Sequence, residues 1–375
     1  MSSVLTWHQR QQSPVRAVGS SQVDRRKPIQ YRSRVTKPQP SAGNYIRKLL
    51  ITSVRLFATA GLLWVLAARI DLSRAAQIMG QAAPPLLAAA FVVFLATSAV
   101  VALRWHLILS AEAPSPGAAA LLKIVLVGMF FNQVLPTGVG GDAVRVWRCR
   151  RRGIGLGVAV RSILVDRACG YLVLVLVYAA NLPGLLRILS DPRQKVVVVA
   201  VLAAGLLGFV ALLLLDCLPQ FLLRLQLVAP LAQLSRETRR LFMEPARSVA
   251  VLALSAVTMG FTILCFKLVA DGVGSHLPLG NWIMIVPPVT LIQLLPVSLA
   301  GWGVREAVLV VAPASFGVPA EAALATSVLL GLCLVASGLP GGLIWLGNWD
   351  IAQSSPHTLY TLGARNELDR GRPPT

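Results

Sequence analysis

The stretch Leu135-Pro136-Thr137-Gly138-Val139-Gly140-Gly141-Asp142-Ala143-Val144-Arg145 returns 160 residues later as Leu295-Pro296-Val297-Ser298-Leu299-Ala300-Gly301-Trp302-Gly303-Val304-Arg305, with five of eleven positions identical. Each copy closes a long apolar stretch without Asp, Glu, Lys or Arg, Ile124 to Gly141 and Gly272 to Val304. The prolines remove a backbone donor, and Gly138, Gly140 and Gly141 permit positive φ and close backbone approach. Backbone released from a helix at membrane depth must face protein or a wet cavity, because lipid cannot satisfy it. Each copy therefore reads as a re-entrant hairpin. In the first, Lys123 to Leu135 descends, Pro136 to Asp142 turns and Ala143 to Arg148 returns. In the second, Trp282 to Leu295 descends, Pro296 to Gly303 turns and Val304 to Ala312 returns.

Six other segments reach the roughly 20 residues needed to cross about 30 Å of hydrocarbon. They are 49–68, 84–103, 157–181, 196–215, 248–266 and 322–346, the last expected to kink or end at Pro340-Gly341-Gly342. The same offset of 160 carries 84–103 onto 248–266 and 157–181 onto the final span. Each half thus holds three spans and one broken segment, and an odd number of spans inserts the halves in opposite orientation. The predicted fold is an all-α polytopic membrane protein, an inverted repeat of three spans plus one re-entrant hairpin per half. The predicted divisions are a disordered basic tail 1–48, a transmembrane domain 49–350 with repeats at about 49–186 and 196–350, and a C-terminal tail 351–375.

Composition agrees with this reading. With 55% hydrophobic and 13% charged residues and a mean hydropathy of +0.69, the 375-residue chain lies outside the water-soluble range. A net charge of +20 in a soluble protein would suggest nucleic acid, but here it serves as a topology signal. With both hairpins entering and leaving on one side, 25 Lys/Arg fall on the side of the N-terminal tail and five on the other, which puts both termini in the cytoplasm. The tail, with ten Lys/Arg and only Asp24 as an acid, is too poor in apolar residues to fold and has no apolar run of signal-peptide length. Five scattered cysteines and four isolated histidines suggest neither a disulfide framework nor a metal site. No nucleophile elbow, zinc-protease motif or nucleotide loop is present, so no enzyme activity, catalytic residue or cofactor is expected.

The candidate site lies at the hairpins. Arg145 and Arg305 follow the glycines at the start of each returning helix, where N–H groups and a guanidinium together suit a phosphate. Gly140, Gly141 and Gly301 bring backbone close to it, and Asp142 and Glu306 are available counter-charges. An ionisable pair such as Arg305-Glu306 amid apolar residues is costly unless functional or internally paired. Arg145 also heads a basic run, Arg148 to Arg152, so a lipid-surface role is the alternative for it. Asp166 could pair with Arg145 across the hairpin, while Arg167 and Arg161 need partners of their own. Asn132 and Gln133, with Gln293 equivalent to Gln133, either bind headgroup oxygens or satisfy the broken backbone. Arg104-Trp105 reads as an interfacial anchor and Lys267 as a snorkelling residue.

The run Phe131 to Arg145, the triplet Val165-Asp166-Arg167 and the run Leu295 to Glu306 together resemble the lysylphosphatidylglycerol synthase transmembrane region, a flippase-like family, from about residue 48 to 350. The resemblance implies a bacterial inner-membrane protein that moves a polar lipid between leaflets. In multidomain members a soluble aminoacyl-transferase follows. No such domain is expected before Thr375, so lipid aminoacylation is not inherited. Ala300-Gly301-Trp302 stands where two glycines and a smaller apolar residue would be expected.

The leading expectation is translocation of an anionic or phosphate-bearing lipid, its headgroup held between the hairpins while one repeat rocks against the other. The alternative is a non-transporting accessory protein that recruits or braces a lipid- or glycan-modifying enzyme. A transferase acting on a lipid phosphate would need Asp142, Asp166 or Glu306 as its base. Membrane lipids, and a lipid-synthesising enzyme as a candidate, are the expected partners; nucleic acid is not.

Overall fold

A computed structural model describes residues 70–135, 140–217, 228–293, 304–314 and 316–347, together with Gly61, Trp64 and Ala68. The two tails, most of the predicted first span, the first-hairpin residues 136–139 and the second-hairpin turn with Gly301 and Trp302 lie outside these residues. The described residues are all-helical. In chain order they form α1 (Leu72–Gly80), α2 (Pro84–Leu109), α3 (Ala118–Val134), α4 (Gly140–Arg151), α5 (Leu156–Ile188), α6 (Pro192–Leu214, continued by a 3₁₀ turn to Cys217), α7 (Val228–Phe242), α8 (Pro245–Gly272), α9 (Leu279–Gln293), α10 (Val304–Ala314) and α11 (Ala320–Leu346).

Local chemistry sets the helix starts. Asp71 caps α1, its Oδ1 accepting from the Ser73 and Arg74 N–H groups at 2.9 and 3.0 Å. Asp191 does the same for α6 through Arg193 N–H, and Pro84, Pro192 and Pro245 occupy first-turn positions where no N–H is needed. Positive-φ glycines Gly117, Gly153, Gly274 and Gly317 sit in the connections.

Five helices are long and apolar enough to span a membrane: α2, α5, α6 with its 3₁₀ extension, α8 and α11. This is a multi-pass membrane protein. In the most apolar window of α11, 67% of residues are buried, against 17% in α6. Thus α11 is central, and α6 turns Val196, Val197, Leu206 and Leu207 outward. In contrast α1 and α7 are amphipathic, with the charges of α7 concentrated in Arg236-Glu237 and Arg239-Arg240.

The broken segments are pairs of short helices. At 1.5 Å per residue, the 12-residue α4 and the 11-residue α10 are about 18 and 17 Å long, well under the thickness of a hydrocarbon core. Arms α3 and α4 run antiparallel side by side, with Gly141 of α4 pressed on the Gly128 carbonyl and on Asn132. The second pair, α9 and α10, also pack together.

Contacts between the two halves are reciprocal. Helices α2 and α8 form the central antiparallel pair, closed at one end by Ala83 N–H donating to Gly272 O at 2.8 Å. The first hairpin arm α3 packs on α11, and the second hairpin arm α9 packs on α5. In lipid there is little hydrophobic drive between helices, so close backbone approach over small residues does this work.

Three details differ from expectation. Gly140 and Gly141 are helical, in the first turn of α4, so they supply close approach and not positive φ. Correspondingly, the returning arm begins three residues earlier than predicted. The helix α11 continues through Pro340-Gly341-Gly342 to Leu346. Those glycines form a flat seat for α3: a side chain on Gly341 would strike the Leu126 carbonyl, and one on Gly342 would meet the Phe130 ring at 2.9 Å.

Replacing Gly341 with Val should therefore separate α3 from α11 and destabilise the protein by about 3 kcal/mol or more, an overpacking cost. Gly280→Ala, where no heavy atom lies within 4 Å, is the control. Thermal unfolding in detergent should show a lowered midpoint for the first variant and little change for the second.

Candidate functional site

Between the central pair and the hairpins lies a cavity of about 710 Å³. Side chains from both halves line it: Arg104 of α2, Asn132 of α3, Asp142 and Arg145 of α4, Asp166 and Arg167 of α5, Ser255 and Thr258 of α8, Gln293 of α9 and Arg305 of α10. Apolar residues such as Phe94, Met259 and Leu330 make up much of the remaining wall.

The charged wall is an alternating chain of arginines and aspartates. Arg167 Nε donates to Asp142 Oδ2 at 2.6 Å, and Arg145 Nη1 reaches Asp142 Oδ1 at 3.4 Å. Arg145 Nη2 lies 3.7 Å from Asp166 Oδ2, and Arg104 Nε donates to Asp166 Oδ1 at 2.7 Å. Arg104 Nη1 then donates to Ser255 Oγ of the second half at 3.0 Å. Four of these five charged groups are buried, and only Arg167 is substantially exposed. Desolvated charges persist only with such partners.

Arg145 has a built recess. Its stem runs over Gly128, whose Cβ would lie 3.0 Å from Arg145 Cγ, and its guanidinium stacks on Trp105 at 4.1 Å from the ring centroid. Trp105 is itself fixed by a hydrogen bond from Nε1 to Ser162 Oγ at 3.1 Å. Yet Arg145 Nε and Nη2, both buried, have no hydrogen-bond partner. Nε thus has no acceptor, and Nη2 has only the 3.7 Å ion pair with Asp166 Oδ2.

Arg305 is held differently. Its Nη2 and Nε donate to Glu306 Oε1 at 2.7 and 3.1 Å, and its Nε approaches Ser327 Oγ at 3.3 Å. Ser327 Oγ also donates to Glu306 Oε1 at 3.2 Å. Glu306 is 1% exposed and lies behind Arg305, which lines the cavity. Shifted by the repeat offset of 160, Asp166 and Arg167 become Thr326 and Ser327. Each hairpin arginine thus faces the third span of its own half at adjacent equivalent positions, Arg145 by an ion pair and Arg305 by a hydrogen bond.

The structure brings together Arg145, Arg305, Asp142, Asp166, Arg167 and Asn132 around one cavity. Glu306 pairs with Arg305 and is not among the residues that line the cavity. Asn132 satisfies the broken backbone, its Oδ1 accepting from Gly141 N–H at 2.8 Å, so that donor of the α4 N-terminus is already taken. Gln133 points elsewhere, against Gly338 of α11. Gly140 packs on Leu135 and Gly141 on Gly128; Gly301 lies outside the described residues.

Arg104 and Trp105 are not an interfacial anchor: they are 5% and 0% exposed and form part of the site. The available signal was Arg104 following an uncharged span, which a membrane-edge residue shares. Arg161 finds its separate partners outside the cavity, Glu112 at 3.0 Å and Glu237 at 4.0 Å. Burial holds the Glu112 carboxyl above its ordinary value despite the Arg161 hydrogen bond. Lys267 pairs with Asp271 at 2.5 Å.

Removing one member of the chain should cost more than removing a matched pair. Arg104→Ala leaves Asp166 with only its longer contact to Arg145 and should lower stability by about 3 kcal/mol. Adding Asp166→Asn should recover a measurable part of that loss. Thermal midpoints of the single and double variants in detergent check this coupling.

A search of curated proteins finds no match. A comparison with protein families matches residues 48–341, most of the chain and every helix of the site, to the family described as lysylphosphatidylglycerol synthase TM region. With its broken apolar segments, its paired hairpin arginines and this match, the chain belongs to that family.

Proposed function

We propose that the protein translocates a phosphate-bearing polar lipid between the leaflets of a bacterial inner membrane. The headgroup occupies the central cavity and the acyl chains remain in lipid. The observation that carries this reading is one cavity lined by the hairpin arginine of each half, where buried Arg145 has no hydrogen-bond acceptor at Nε and only a 3.7 Å ion pair at Nη2. A phosphate oxygen accepts from such donors, and the low dielectric of a buried site strengthens the contact. Asp142 and Asp166, each held between guanidiniums, are engaged in orienting the arginines, which favours a binding site over a transferase.

The transport geometry in this reading is an inverted repeat. The short arms of α4 and α10, the antiparallel contact of α3 with α4, and the reciprocal packing of each hairpin on the opposite half support two hairpins entering from opposite faces. The bias of Lys/Arg supports a first hairpin on the cytoplasmic side, with both chain ends.

Two measurements test these statements. In reconstituted vesicles, leaflet exchange of a labelled anionic phospholipid should be accelerated by the intact protein, and Arg145→Ala and Arg305→Ala should each slow it about tenfold or more, as expected for loss of a charge-assisted contact. Equal rates for intact protein, both variants and empty vesicles overturn the reading. For topology, in a background lacking exposed Cys217, Ala119→Cys and Arg151→Cys should label from the same face. Leu279→Cys and Ala314→Cys should both label from the opposite face; labelling of either pair from two faces overturns the re-entrant arrangement.

A further inference from the structure

We infer that the C-terminal end of α4, where it meets the last turns of α11, docks one anionic phospholipid of the surrounding leaflet. This site is separate from the central cavity and holds whether or not the cavity translocates its occupant. After Asp142 no acid occurs until Asp166, and Arg148, Arg150 and Arg151 crowd the end of α4. A helix C-terminus favours cations by itself, but it does not require the aromatic platform found here. The Arg151 guanidinium lies 4.6 Å from the centroid of the Trp147 ring, and that of Arg148 lies 5.2 Å from the centroid of Trp345. The two indoles pack on each other with centroids 5.6 Å apart, and Phe131 of α3 meets Trp345 edge-on at 4.9 Å. A guanidinium held by its face spends none of its N–H donors on that contact. Arg150 and Arg151 are both exposed, and neither has a carboxylate partner among the described residues.

The depth of the patch makes the partner a lipid. Helix α11 is a spanning helix, and Leu343 and Leu346, within a turn of Trp345, are 70% and 79% exposed. Leucines so exposed at the end of a span lie against acyl chains, and tryptophans beside them mark the membrane interface. Because Trp147 packs on Trp345, the arginines that follow it sit at the level of the phospholipid phosphates. A lipid with an anionic headgroup matches both surfaces at once: its phosphate meets Arg150 and Arg151, and its chains run along Trp147, itself 42% exposed, and the apolar end of α11. A nucleic acid or a phosphopeptide would match the charge and leave the apolar part uncovered.

Trp147 is its own reporter. Its emission, taken as the difference between the full-length protein and Trp147→Phe, is followed in phosphatidylcholine vesicles that contain a small fraction of phospholipid brominated on the acyl chains. Brominated phosphatidylglycerol should quench Trp147 with an association constant about fivefold or more above that of brominated phosphatidylcholine, the step expected for one arginine at a membrane surface. The double variant Arg150→Gln, Arg151→Gln should lose that preference. Equal quenching by the two lipids in the unmodified protein overturns the inference, as does an unchanged preference in the double variant.

Arg150→Lys, Arg151→Lys keeps the charge that orients the chain, so it remains informative if the glutamine pair fails to insert. It should retain about half of the preference or less, because an ammonium neither stacks on indole as a guanidinium does nor meets a phosphate bidentately. Full retention by the lysine pair reduces the patch to diffuse charge attraction and overturns a built site. Arg145→Ala, in the cavity, should leave the preference unchanged, and its loss there overturns the separation of the two sites. Soluble glycerol phosphate in large excess should not relieve the quenching; relief overturns a lipid-borne occupant.

Discussion

The carboxylate of Asp166 ties three helices to one point. It lies inside a long apolar span, α5, and is held by Arg104 from α2 and Arg145 from α4. None of these charges is tolerable alone at that depth, and together they fix the position of the first hairpin relative to the central pair. Arg104 extends the constraint to Ser255 on α8, so the ion chain crosses from the first half into the second. The cavity is what remains between elements pinned in this way.

Small residues make the pinning sterically possible. Gly128 leaves room for the Arg145 stem, Gly141 lets α4 lie against α3, and Gly338, Gly341 and Gly342 let α3 lie against α11. Charge and close packing thus act at the same places, and the first hairpin is held on one side by guanidiniums and on the other by backbone contact. The second hairpin is anchored by Trp282 in the largest apolar cluster and by the Arg305–Glu306–Ser327 triad.

Much of this was legible in the sequence because it depends on residues with few alternative uses. Proline, glycine and an arginine at a fixed spacing within an apolar stretch mark both broken segments, and the offset of 160 links Arg145 to Arg305, two arginines that line one cavity. The pairing of Asp166 with Arg145 was also within reach, since a buried acid needs a base. Arg104 was not, because an arginine after an apolar run looks the same whether it ends at the membrane surface or turns into the protein. The lining threonines Thr97, Thr258, Thr262 and Thr290 were equally hidden: threonines in a spanning helix satisfy their own backbone, and only three-dimensional packing shows which of them share a cavity. Gly140 and Gly141 illustrate a different limit. Glycine serves both a turn and a tight helix contact, and the sequence does not say which.

The seat of α3 on Gly341 has a mechanical consequence. That contact joins the first hairpin to the last span, and α9 packs on α5 with Gly184 facing the Met284 side chain, so close contacts cross between the two halves of the sequence. A rocking of one repeat against the other would pull the Leu126 backbone from its glycine seat. Within each half the hairpin is tied to its own third span by one polar contact as well, Arg145–Asp166 and Arg305–Ser327, so each hairpin is held from both halves at once.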